Sequence, residues 1–135
     1  MKLRAAHFST ELDSVRLVDS EDWVRVQVSV VGGVFSGAFQ ASLQLEDLKR
    51  FGSELDRMSI GAGLPHEAVL SCLERGVCIK LLSNRMGQID GTYEFESDNG
   101  SFAKLAGSFQ LDQSYLPELI ASTHELITSL SKNVA

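Results

Sequence analysis

The last third of this chain changes period within a few residues. From Phe102 to Leu111, the residues Ala103, Leu105, Gly107, Phe109 and Leu111 recur at every second position, as in a strand with one face on a core. From Leu116 to Leu130, the residues Leu116, Leu119, Ile120, Thr123, Leu126, Ile127 and Leu130 recur every third or fourth, as in an amphipathic helix. Only Asp112, Gln113, Ser114 and Tyr115 stand between. So short a join predicts a helix that folds back on the sheet it leaves. Ser114 offers a hydroxyl cap, and Pro117 falls in the first turn, where a missing N–H costs nothing.

The rest of the chain reads as hairpins around one further helix. Gly32-Gly33 predicts a two-residue turn. Its register pairs Val31 with Val34, Val30 with Phe35, Val28 with Gly37, Val26 with Phe39 and Val24 with Ala41. That puts the valines on one face and Trp23, Arg25, Gln27 and Ser29, opposite Ser42, Gln40, Ala38 and Ser36, on the other. After Leu45 the period becomes helical. Leu48, Phe51, Leu55 and Met58 form the stripe, Glu46 and Asp47 suit the N-terminal dipole, and Gly61-Ala62-Gly63 with Pro65 ends the helix. Glu74-Arg75-Gly76 predicts a loop pairing Cys72 with Cys78. Asp98-Asn99-Gly100 predicts another, pairing Phe95 with Ala103, Tyr93 with Leu105, Gly91 with Gly107 and Ile89 with Phe109, with Glu94 opposite Lys104. Ser14–Asp19 reads as a first strand, residues 1–13 as irregular, and no internal repeat is evident. The expected fold is therefore α+β: one antiparallel sheet of about six or seven strands, ordered β-β-β-α-β-β-β-β-α, with two helices on its apolar face.

At 135 residues the chain is long enough for one domain that buries roughly two thirds of its unfolded surface. A net charge of −6 disfavours nucleic acid and anionic membranes and favours a basic protein partner. The first residues lack the apolar core of a secretory signal, and no apolar run approaches the ~18 residues of a membrane span. The expected location is cytoplasmic.

No catalytic constellation stands out. Ser36 lies in Gly33-Val34-Phe35-Ser36-Gly37, which lacks the nucleophile-elbow spacing and continues as a strand. Gly61 and Gly63 follow a helix C-terminus, the wrong dipole end for a phosphate. His7, His66 and His124 sit on distant elements without ligand spacing. In the expected register Cys72 and Cys78 come within disulfide reach, yet a reducing cytoplasm keeps such neighbours as thiols. Asp90, Glu94 and Glu96 share an outer, solvated strand face where nothing raises a pKa for acid–base work. The sheet face bearing Trp23 carries one charge, Arg25, among neutral Gln27, Gln40, serine and alanine, and aromatic anchors dominate protein contacts. Trp23, Arg25, Gln27 and Gln40 are accordingly the candidate contact residues. Asp90 and Glu94 would steer a basic partner. Covering a sheet end is the competing role for Trp23.

Three segments resemble the WapI-type immunity proteins, small bacterial proteins of contact-dependent toxin systems. They are Trp23-Val24-Arg25-Val26 leading through Val30 to Phe35-Ser36-Gly37; Ser42-Leu43-Gln44-Leu45-Glu46-Asp47-Leu48 with Phe51; and Phe109-Gln110-Leu111-Asp112-Gln113-Ser114-Tyr115-Leu116-Pro117 with the helix behind it. They span residues 23 to 130. Gly52 in the first helix and an irregular loop at 83–88 depart from the pattern. The resemblance implies a non-enzymatic protein that neutralises a toxin domain by occluding it, with no cofactor. It supplies no contact residues. The alternatives are an interaction module, a homodimer joined through exposed sheet surface, or an enzyme or small-molecule binder with a pocket between sheet and helices.

Overall fold

The computed structural model describes residues 1–17, 22–61, 63–70, 76–97 and 103–132. Four strands, β1 (Lys2–Arg4), β2 (Phe8–Leu17), β3 (Trp23–Gly32) and β4 (Phe35–Gln44), run into helix α1 (Leu45–Ile60). Four more, β5 (His66–Leu70), β6 (Val77–Ser83), β7 (Ile89–Glu96) and β8 (Lys104–Leu111), run through a 3-10 turn (Gln113–Tyr115) into α2 (Leu116–Lys132). The α+β class, the antiparallel pairing and the two helices stand as expected. Among the described residues the strands number eight and are divided between two sheets, β1-β2-β3-β4 and β5-β6-β7-β8.

The chain thus traces one plan twice, a repeat the residue pattern did not disclose. The trace of it is at the strand–helix joins. Ser42-Leu43-Gln44-Leu45-Glu46 ends the first sheet, and Ser108-Phe109-Gln110-Leu111-Asp112 ends the second. Each helix then serves the other half. α1 packs mainly on β5 and α2, while α2 packs on β1 and β2. Ser122 Oγ accepts the Lys2 N–H at 2.8 Å, and Glu54 Oε1 accepts the Val69 N–H at 3.2 Å. Both contacts seal the first-strand edge of the opposite sheet. Gly52 sits where the helices cross: a Cβ there would lie 3.3 Å from Ile127 Cδ1 and 3.4 Å from His124. Close approach explains a glycine in a helix interior.

Residues 1–13, expected to be irregular, instead supply β1 and most of β2. Their alternation is masked because Thr10, not an apolar residue, fills an inward position, buried with its hydroxyl donated to Ser29 O at 2.8 Å. A bulge between Ser14 and Arg16 breaks the period again.

Both expected hairpin registers are off by two residues, which preserves the faces but changes every partner. In the first, Val26 pairs with Ala41 and Val28 with Phe39. The turn is Gly33-Val34, with positive φ at Gly33 only. Gly32 stays in the ladder because Tyr93 occupies its side-chain space: a Cβ there would meet the Tyr93 hydroxyl at 2.5 Å. In the second, Tyr93 pairs with Gly107, Gly91 with Phe109 and Phe95 with Leu105. Tyr93 and Phe109 each lie over a glycine; a Cβ on Gly91 would be 2.2 Å from Phe109. The expected register wasted that complementarity by pairing glycine with glycine. Glu94 and Lys104 lie diagonally, not opposite, and still form an ion pair at 2.9 Å. The expected Asp98-Asn99-Gly100 loop and the Cys72–Cys78 pair lie outside the described residues.

The aromatic residues join the sheets. Phe8 stacks on Tyr93 at 4.0 Å and on Phe109 at 4.7 Å, and Phe39 meets Phe95 edge-on at 6.3 Å. Helix α1 keeps its expected stripe and ends at Gly61, φ +68. The cap at the α2 end is Asp112, not Ser114: its carboxylate accepts the Ser114 N–H at 2.9 Å and starts the 3-10 turn.

Candidate functional site

On the outer face of the first sheet, Arg25 is the organising side chain. Its Nη1 donates to Ser42 Oγ at 3.0 Å and its Nε to Gln40 Oε1 at 3.4 Å. Gln27 stands directly opposite Gln40. Trp23 is half-buried at the end of β3, opposite Gln44. Its preceding residue, Asp22, accepts the Leu45 N–H at 2.9 Å through its carbonyl, which fixes the tryptophan beside the start of α1. Trp23, Arg25, Gln27 and Gln40 therefore form one surface, with the tryptophan at its rim.

Asp90 and Glu94 lie elsewhere, exposed on β7 of the second sheet. They hold the positions that Trp23 and Gln27 hold in the first: Asp90 faces Gln110 as Trp23 faces Gln44, and Glu94 faces Ala106 as Gln27 faces Gln40. Hydrogen bonding to Glu94 holds the Lys104 ammonium above its ordinary pKa. The Ser114 backbone N–H and hydroxyl hold Asp112 below the usual carboxylate value.

The residue pattern missed two apolar features. Val26 to Leu45 is the longest charge-free run in the chain, and it forms the tip where Val34 is 94% exposed and Phe35 65%. Beneath that tip a groove of about 330 Å³ is bounded by Val30, Phe35, Phe39, Phe95 and Leu105. The signal was available: a long uncharged run on an edge strand cannot all be core. A second groove, about 390 Å³, lies between the end of α1, the β6–β7 loop and the start of α2, with Ile60, Leu64 and Met86 exposed around it. Asn84 holds that loop, accepting from the Met86 and Gln88 N–H groups at 2.9 and 3.0 Å and donating to Gln88 Oε1 at 2.9 Å. Its amide is spent on the loop itself.

Two of the three histidines are used structurally. His66 Nε2 contacts Gly61 O at 2.9 Å, and His124 Nε2 contacts Asp56 at 3.0 Å across the helix crossing. Among the described residues, no three His, Cys, Asp or Glu side chains are placed to hold a metal, and no helix is long and apolar enough to cross a membrane.

Two sheets, each with its first-strand edge closed by the other's helix and one of them with a face whose single central charge is Arg25, define an α+β protein whose exposed features are surfaces. The model of the immunity protein WapI-like family matches residues 2–130, and the chain belongs to that family. No curated protein matches it in sequence. Among solved structures, one described as the plant transcriptional regulator PBF-2 is similar over 98% of this chain and 81% of its own, at 11% identity and a TM-score of 0.47. Similarity at that level says nothing about binding or activity.

Proposed function

We propose that this protein neutralises a toxin domain by binding and covering it, without catalysis. Family membership across residues 2–130 carries the reading. The contact is the outer face of the first sheet, with Trp23 as rim anchor and Arg25, Gln27 and Gln40 as the polar floor. An arginine already held by Gln40 and Ser42 loses less freedom on binding than a free one, which favours contact there. The acidic balance, including Asp90 and Glu94, speeds encounter with a basic toxin surface without belonging to the contact. Such a protein acts in the cytoplasm of the toxin-producing cell. Co-expression with the C-terminal domain of any toxin-like gene adjacent to its own tests this: growth is restored by this chain and by no unrelated acidic protein. No rescue and no complex in pull-down would remove the reading.

A further inference from the structure

The two sheets have four edges, and they are treated differently. The β1 edge is closed by Ser122 on the Lys2 N–H and flanked by the Arg4–Glu118 ion pair at 3.3 Å. The β5 edge is closed by Glu54 on the Val69 N–H. The β8 edge begins with Lys104, paired to Glu94, and runs beside the acidic row of β7. The β4 edge, Phe35–Gln44, has none of these devices: no charge, no proline, and no helix side chain bonded to its backbone among the described residues. Edges left long and uncharged pair with another strand.

Ladder geometry says which groups are offered. Gly32 and Phe35 close the two-residue turn and pair directly, so the odd residues of β4 bond to β3. The N–H and C=O groups of Ser36, Ala38, Gln40 and Ser42 therefore point outward. These groups take an extended backbone.

We propose that the occupant is the β4 strand of a second copy of this chain, antiparallel about a twofold axis at Ala38. In that register Ala38 meets Ala38, Ser36 meets Gln40, and Phe39 lies opposite Gly37 of the other copy. The last pair repeats the aromatic-over-glycine arrangement that the molecule uses in Gly91–Phe109 and Tyr93–Gly107. Phe35 falls opposite Ala41, which covers part of the exposed tip. The charge-free run from Val26 to Leu45 lets two chains of net charge −6 approach without opposing like charges along the strand. The pairing joins two four-stranded sheets into one of eight and leaves the Trp23 face open, so it is independent of toxin binding.

Sedimentation equilibrium of the full chain, over micromolar to millimolar concentration, tests it. The wild type dimerises. Ala38→Pro removes only an outward N–H, keeps the β3 ladder and, with its symmetry mate, deletes two hydrogen bonds, weakening the dimer about tenfold or more. Ala38→Lys sets two ammonium groups against each other across the axis and weakens it at least as much. Ala106→Pro, the same change at an outward N–H of β8, leaves the dimer intact. Circular dichroism checks that each variant is folded. Independently of these, Ala38→Cys with Cys72→Ser and Cys78→Ser forms a disulfide-linked dimer on mild oxidation, because a hydrogen-bonded antiparallel pair brings Cα atoms to about 5.5 Å. A wild type that stays monomeric without cross-linking, a dimer indifferent to Ala38→Pro and Ala38→Lys, or one broken by Ala106→Pro would overturn the proposal. So would a monomer that pairs through β4 only with the toxin domain.

Discussion

The halves β1–β4–α1 and β5–β8–α2 share a plan and differ in surface. Equivalent outward positions hold Trp23 and Gln27 in the first, Asp90 and Glu94 in the second. The first half presents an uncharged strand run to solvent; the second alternates Asp90, Glu94 and Glu96 with polar neighbours and pairs Glu94 to Lys104. Inward positions are mostly apolar in both, Thr10 excepted. The repeated part of the plan specifies the fold, and the part that differs is where a partner can be recognised.

The largest test of the shared plan is the exchange of helices. Leu119→Ala in α2 and Leu55→Ala in α1, both fully buried, should each cost about 2–5 kcal/mol in urea unfolding. Exposed Glu125→Ala should stay within about half a kcal/mol. Comparable losses from both leucines support reciprocal sealing; a loss below about 1 kcal/mol at either would make that helix a loosely held appendage.

The hairpins should separate next. Gly91→Ala drives a methyl group into the Phe109 ring and should cost about 1–3 kcal/mol. Gly37→Ala meets nothing nearer than Val30 Cγ1 at 3.9 Å and should be neutral or slightly stabilising, within about half a kcal/mol. Equal effects would contradict the register assigned to β7 and β8.

Smaller still are the two edge seals. Ser122→Ala and Glu54→Ala each leave one strand N–H to water and should cost about 1 kcal/mol apiece. A marked inequality would show that one sheet depends on the other's helix more than the reverse.

The smallest effect is at the second join, where Asp112 caps and Glu46 does not. A carboxylate whose folded pKa is lowered contributes stability above its unfolded pKa and loses it as pH falls through the folded value. The gap in urea midpoint between wild type and Asp112→Ala should therefore be full near neutrality and close in strong acid. A gap independent of pH would remove the charge from the cap. Lys104, raised by Glu94, gives the opposite limb: its contribution is full below the unfolded lysine pKa and lost as pH rises through the folded value.

Much of this was legible in the residues. The period changes at Leu45 and Leu116 locate both helices, and alternation assigns strand faces correctly even where the register was wrong by two. The register errors came from local loop assignments, Gly32-Gly33 and Asp98-Asn99-Gly100. Gly32 is reserved for Tyr93, and the glycines of β7 and β8 for aromatic rings, and these are contacts between distant segments. Division into two sheets was equally invisible, since nothing in α1 announces that it packs on β5. The candidate contact face was legible as a face. Its exposed neighbour, the Val34–Phe35 tip, was marked by the length of the uncharged run but hidden in the alternation, because an alternating apolar strand reads as core whether or not anything covers it.

The most direct measurement is binding of the purified chain to the C-terminal domain of any toxin-like gene found adjacent to its own, as affinity and association rate over a range of salt. Trp23→Ala should weaken that complex by about 2 kcal/mol or more, chiefly through faster dissociation. Reversing Asp90 and Glu94 together to lysine should instead slow association, most at low salt, and leave dissociation nearly unchanged. A complex indifferent to Trp23→Ala and Arg25→Ala, or dissociating faster when Asp90 and Glu94 are reversed, would contradict the account and move the contact to the second sheet.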